Sequence, residues 1–259
     1  MLVLHGVFGL GANFRTIARA LVERRPEWGI VLVDLRGHGE SQGLAPPHDL
    51  EAAASDLDAL VAALGRPVGG ILGHSFGGKV TLAFLDRHPG VMKAAFILDS
   101  MPGARTPSSQ NDTVTDVLAT LESLPTVLPS REAFKSDLAA RGYPRLIVDW
   151  LAMNVRRRPG EAESYGLRLD LPAIRSMLQD YWQRDLWPVL DRASSAETLA
   201  LLIGGRSTVF DPSGLVRAQE AASRNPHLSV EVLPNAGHWL HAEDPAGVLA
   251  SIDKHLPTL

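Results

Sequence analysis

The chain has no cysteine among its 259 residues. That excludes disulfides, a thiol nucleophile and thiolate metal ligation. It has no basic excess either: 25 Lys and Arg stand against 29 Asp and Glu, a formal charge of −4. The electrostatic footprint of a nucleic-acid binder is therefore missing. No apolar run reaches the length of a membrane span, so no membrane insertion is expected. Met1-Leu2-Val3-Leu4-His5-Gly6 has no basic segment ahead of a long apolar core and does not read as a secretory signal. The default expectation is a soluble, cytoplasmic protein. Repeats and long low-complexity tracts are lacking too. What is present is 45% hydrophobic content, enough for one sizeable core with an inserted subdomain.

One stretch organises the rest: Val68-Gly69-Gly70-Ile71-Leu72-Gly73-His74-Ser75-Phe76-Gly77-Gly78-Lys79-Val80. It reads as a buried strand, a sharp turn and a helix. The turn carries G-x-S-x-G, with Ser75 at its centre. A serine at such a tip projects its hydroxyl into a cleft, whereas one on a flat strand or in mid-helix is crowded. Small residues at 73 and 77 let strand and helix approach closely. The helix N-terminus offers free N–H groups to a developing oxyanion.

Around this stretch the pattern alternates. Residues 1–4, 29–33, 68–74, 93–98, 197–203 and 228–233 read as strands. Residues 14–25, 48–64, 213–223 and 245–255 read as helices, as does the segment after Ser75 up to Pro89-Gly90. Strands apolar on both faces and separated by helices imply an α/β fold: a mostly parallel open sheet with helices on both faces. From 101 to 187 the rhythm becomes helical, broken at Pro107, Pro125, Pro129, Gly142-Tyr143-Pro144, Pro159-Gly160 and Pro172, with no convincing strand. The expected organisation is a core of 1–100 and 188–259 with a helical cap of 101–187.

A serine hydroxyl needs a base, and the base needs an orienting partner. Open parallel sheets present such groups at the carboxyl ends of strands. Ser75, Asp99 and His238 each follow a strand, in the order Ser…Asp…His. His238 lies in the glycine-containing loop Pro234-Asn235-Ala236-Gly237-His238-Trp239; His241 is its rival but sits closer to the last helix. For the acid, Asp99 is favoured over Asp211 because its strand adjoins that of the nucleophile. Ser207 is a candidate hydrogen-bond support for the histidine. The oxyanion donors are expected to be the N–H of Phe76, directly after the nucleophile, and that of Val7, after His5-Gly6. Asp34 and Arg36 read as braces of the loop 34–39. Arg156-Arg157-Arg158 reads as a solvated face, with an anion site as the alternative. Trp150, Tyr181, Trp182 and Trp187 either line an acyl pocket or pack cap on core.

These motifs together resemble the α/β-hydrolase superfamily. Within it the likeness is to the YbfF-type esterases and their eukaryotic abhydrolase-domain relatives. It is carried by Leu4-His5-Gly6-Val7-Phe8-Gly9, Gly73 to Lys79, Asp99, Gly204-Gly205-Arg206-Ser207 and the loop around His238. The resemblance implies hydrolysis of small-molecule carboxylic esters or acyl thioesters, with no metal and no organic cofactor. It implies Ser75 as nucleophile, His238 as base, Asp99 as acid and Ser207 beside the histidine. Members usually carry two further strands ahead of the His-Gly strand, where this chain begins. Perhydrolysis, carbon–carbon bond hydrolysis or a slow-turnover ligand receptor use the same triad and fold. Haloalkane or epoxide chemistry of this fold would require aspartate at position 75. The sequence leaves the oligomeric state open.

Overall fold

In the computed structural model, which describes residues 1–105, 113–160 and 164–259, the chain opens with strand β1 (Leu2–Leu4). A 3-10 turn at Gly11–Phe14 leads into helix α1 (Arg15–Arg24). Strand β2 (Val31–Val33) and helix α2 (Leu50–Leu64) follow. Asp49 caps α2 by accepting the Ala52 N–H at 2.7 Å, and Gly65 ends it in the left-handed conformation. Strand β3 (Gly70–His74) turns at Ser75 into helix α3 (Phe76–Arg87), and β4 (Met92–Leu98) comes next.

The chain then leaves the sheet. Helices α4 (Thr113–Ser123), α5 (Arg131–Ala140) and α6 (Arg145–Ala152) precede strands β5 (Val155–Arg157) and β6 (Tyr165–Leu167). Helices α7 (Leu171–Gln183) and α8 (Trp187–Asp191) bring it back. Strand β7 (Ala196–Gly204), helix α9 (Pro212–Arg224) and strand β8 (Leu228–Leu233) rejoin the sheet, and helices α10 (Leu240–Glu243) and α11 (Pro245–His255) close the fold. The excursion is helical apart from β5 and β6, an antiparallel pair where no strand was expected. Each has three residues and β5 reads Val-Arg-Arg, so neither carries the apolar run or alternation that marks a strand in sequence. The break read at Pro107 lies outside the described residues.

The main sheet has the order β2-β1-β3-β4-β7-β8, and every pair is parallel. Alternate strand residues feed two cores. Leu2, Leu4, Ile71 and Ile97 face α2, α3, α8 and α9, while Val3, Leu72, Phe96 and Leu98 face α1, α10 and α11. Burial on both faces is why the central strands read as continuous apolar runs. Among the described residues no helix is long and apolar enough to cross a membrane.

The turn from β3 into α3 tolerates no added atoms. A Cβ at Gly73 would lie 2.1 Å from the Gly77 carbonyl oxygen, and one at Gly77 would lie 2.5 Å from the His5 carbonyl oxygen. Backbone on both sides leaves nothing flexible to yield. Gly77→Ala is expected to destabilise the fold by about 1–3 kcal/mol through overpacking, read as a lower urea midpoint at unchanged m-value. An unchanged midpoint would show that the start of α3 is not packed against the Leu4 and His5 carbonyls.

Candidate active site

Ser75 occupies the turn with φ 51° and ψ −116°. A β-carbon there is strained by about 1–3 kcal/mol. The turn is held by the Ser75 N–H on the Leu98 carbonyl at 2.9 Å and the Gly78 N–H on the Ser75 carbonyl at 2.9 Å. One strand over, Asp99 follows β4, fully buried and also at positive φ, 43°. Its own N–H donates to the Leu202 carbonyl at 2.7 Å.

These positions bring three side chains into line. His238 Nε2 lies 3.1 Å from Ser75 Oγ, and His238 Nδ1 lies 2.7 Å from Asp99 Oδ2. With an acceptor carboxylate at Nδ1, the proton sits on that nitrogen and Nε2 presents its lone pair to the serine. The carboxylate has two further donors: Gly204 N–H on Oδ1 at 3.0 Å and Ser207 Oγ on Oδ2 at 2.5 Å. Ser207 thus reaches the aspartate rather than the histidine. The loop carrying His238 is pinned by Glu243, which accepts the Gly237 and Trp239 N–H groups at 2.9 and 3.1 Å. It is pinned again by His74, whose Nε2 donates to the His238 carbonyl at 2.7 Å. Burial, and then the neighbouring His238, hold His74 well below the ordinary histidine pKa.

The alternatives occupy other places. Asp211 caps α9, accepting Gly214 N–H and Ser213 Oγ at 2.7 Å each; the Gly214 bond, then the Ser213 hydroxyl, lower its pKa. His241 stacks on Phe14 with ring centres 4.2 Å apart, and burial lowers its pKa to about 4.

The loop after β1 lies against the serine. A Cβ on Gly6 would sit 3.3 Å from Ser75 Cβ, and Val7 and Phe76 line the same cavity as Ser75. Phe76 opens α3, so its N–H has no carbonyl within the helix to bond. Two buried histidines shape this loop. His5 Nε2 accepts the Leu35 N–H at 3.0 Å and its Nδ1 donates to the Gly6 carbonyl at 2.7 Å. His38 Nε2 accepts the Phe8 N–H at 3.0 Å and its Nδ1 donates to the Arg36 carbonyl at 3.0 Å. The rings meet edge to face at 4.8 Å. Asn154 holds the other side, donating to the Phe8 carbonyl at 2.7 Å. Burial keeps both histidines neutral, with pKa values lowered to about 4 for His5 and about 3 for His38. Sequence reasoning missed His38 and Asn154 here, because their partners are 30 and 146 residues away. Asp34 and Arg36 brace the adjoining loop: Asp34 accepts the Gly11 and Glu40 N–H groups, and Arg36 makes a two-pronged pair with Asp56 at 2.7 and 2.8 Å.

A cavity of about 280 Å³ opens above Ser75. Trp150, Tyr181 and Trp182 line it; Trp187 instead packs under the Arg217 guanidinium. Lys79 fastens the roof, donating to the carbonyls of Gly103, Tyr181 and Arg184 at 2.9, 2.5 and 2.8 Å. In the arginine run, Arg156 pairs with Glu40, which Arg168 shares, and Arg158 bonds the Thr126 carbonyl at 2.7 Å.

A parallel sheet with a serine at a strained strand-to-helix turn, facing a histidine backed by a buried aspartate, defines a hydrolase of the α/β class. Residues 1–251 match the alpha/beta hydrolase family, and the chain belongs to it. It is 29% identical over 256 residues to the sn-1-specific diacylglycerol lipase ABHD11 of Mus musculus, covering 98% of this chain and 79% of that one. It is 22% identical to a putative esterase/lipase of Haemophilus influenzae, covering 99% and 82%. A solved marine microorganism esterase superposes with a TM-score of 0.85 at 24% identity, covering 98% and 94%, which speaks to the fold.

The neutral histidines carry a pH signature. Each takes up a proton near pH 6.5 in the unfolded chain but not in the fold, so each weakens the fold as pH drops from about 6.5 toward its folded value. Within that window one such histidine steepens the loss by up to about 1.4 kcal/mol per pH unit. Urea unfolding between about pH 6 and 5 should show a shallower pH slope for His38→Gln than for the wild type. An identical slope would mean that His38 is not buried neutral.

Proposed function

We propose that this protein is a serine hydrolase that cleaves carboxylic esters or acyl thioesters through an acyl-enzyme. The observation that carries the reading is the unbroken hydrogen-bond path from Ser75 Oγ through His238 to Asp99. Ser75 Oγ attacks the acyl carbon as His238 Nε2 takes its proton. The oxygen that becomes negative is held by the N–H groups of Phe76 and Val7, each worth on the order of 10²–10³ in turnover. His238 then gives the proton to the departing alcohol or thiol, and the acyl group stays on Ser75. Water enters, loses a proton to Nε2 and attacks the acyl carbon; the acid leaves and Ser75 recovers its proton. Asp99 keeps the imidazole in the tautomer that both steps use, with Ser207 and Gly204 orienting the carboxylate. The described residues of the 101–187 cap, among them Trp150, Leu178 and Trp182, roof the acyl cavity. The reaction so written uses neither metal nor organic cofactor. The naming of the mouse relative as a diacylglycerol lipase supports the ester bond as the target.

Intact-mass analysis after fluorophosphonate treatment tests the nucleophile. One adduct is expected on the wild type and none on Ser75→Ala, with steady hydrolysis of p-nitrophenyl esters by the wild type alone. A persisting adduct on Ser75→Ala would remove Ser75 from the reading. In matched kinetics Asp99→Asn should lower kcat by about 10⁴ through the wrong histidine tautomer, whereas Asp211→Asn should stay within about threefold, since an asparagine still caps α9 there and only a charge away from Ser75 is lost. The reverse order would sink the assignment of the acid.

A further inference from the structure

We propose that the cavity above Ser75 takes an ester bearing a carboxylate, which Arg105 and Trp182 bind. The proposal rests on the serine-hydrolase reading and adds the substrate class.

Both residues line the cavity. Arg105 follows Asp99 on the way out of the sheet, and Trp182 lies near the end of α7. They are fixed to each other by the Arg105 N–H on the Trp182 carbonyl at 2.8 Å. Arg105 Nε and Trp182 Nε1 are each buried, and neither has a hydrogen-bond acceptor among the described residues. A buried N–H without an acceptor costs about 1–3 kcal/mol, more where the group is charged. Two such donors on bonded neighbours in one cavity are a binding feature awaiting an acceptor.

The surroundings specify the acceptor's charge. Among the described residues no carboxylate pairs with Arg105, and none lines the cavity. The remaining described walls are largely apolar, among them Val117, Ile147 and Leu178. Against such largely apolar walls a guanidinium attracts an anion more strongly than in bulk water. Lys79 is the other cation nearby, and its ammonium, lowered to about 7 by burial and then by the Arg105 charge, already donates to three carbonyls. One cation with donors to spare matches one negative charge. A carboxylate supplies that charge with two acceptor oxygens in the geometry of the guanidinium fork, whereas a phosphate dianion would leave a charge unmatched. The volume of about 280 Å³ suits a short acyl or alcohol group rather than a long lipid chain.

The test compares charged and neutral esters of matched length. The acyl pair is p-nitrophenyl hemiadipate and p-nitrophenyl hexanoate; the alcohol pair is 4-butyryloxybenzoate and phenyl butyrate. Spontaneous rates are subtracted. The wild type should favour the charged member of at least one pair by about tenfold or more in kcat/KM. Arg105→Gln should reduce that ratio to near one, and Trp182→Phe, which keeps the ring and loses the N–H, should reduce it by a smaller factor. Wild-type turnover with no charged preference in either pair would overturn the proposal and leave the esterase reading standing. So would a ratio unchanged in Arg105→Gln, or an equal loss on both members of a pair. Absence of turnover on every ester, together with no fluorophosphonate adduct, would overturn the underlying reading and the proposal with it.

Discussion

The site depends on how tightly β3 and α3 are folded against each other. The Gly73 and Gly77 backbones approach so closely that no side chain fits between them. That approach forces Ser75 to positive φ and lifts its hydroxyl clear of both elements. It also brings the start of α3 against the His5 carbonyl, so that the loop following β1 and the first N–H of α3 share one cavity wall. Asp99 sits one strand away in a second positive-φ turn, within reach of the loop that follows β8. Strain at the two turns is tolerated because the strands behind them are buried on both faces.

Neutral, buried histidines do much of the remaining positioning. His5 and His38 each accept one backbone N–H and donate to one carbonyl, so the loops after β1 and β2 are tied to each other without a charge. The buried His74, by one bond to the His238 carbonyl, and the exposed Glu243 carboxylate, by accepting two backbone N–H groups, pin the loop that carries His238. Low dielectric makes such bonds strong when complete and costly when incomplete. Against that background of satisfied groups, Arg105 Nε and Trp182 Nε1 stand out as cavity donors with no acceptor among the described residues. Lys79, by contrast, has spent its three donors on carbonyls of the roof.

Much of this was legible in the residues. The sheet announced itself through apolar strands separated by helices, and Ser75 through glycines at the spacing a sharp turn requires. Asp99 and His238 were candidates because each follows a strand. The β5–β6 pair was not legible: three residues per strand leave no period, and Val155-Arg156-Arg157 reads as surface. The role of Ser207 was read as a bond to the histidine and proves to be a bond to the aspartate, a choice set by side-chain directions that spacing does not encode. His38 and Asn154 act through partners brought close by the fold, and no local pattern marks them. Arg105 lies outside any motif; only its place in the cavity shows that its Nε has no acceptor among the described residues.

The central claim is that the strand-to-helix turn aims Ser75 at an acyl group whose oxygen meets the N–H groups of Phe76 and Val7. A crystal structure of the protein after reaction with a phosphonate ester tests this most directly. The account expects phosphorus bonded to Ser75 Oγ, with the phosphonyl oxygen about 3 Å from both nitrogens and His238 Nε2 near the leaving-group position. Phosphorus on another residue, or a phosphonyl oxygen turned away from the Phe76 and Val7 N–H groups, would contradict it.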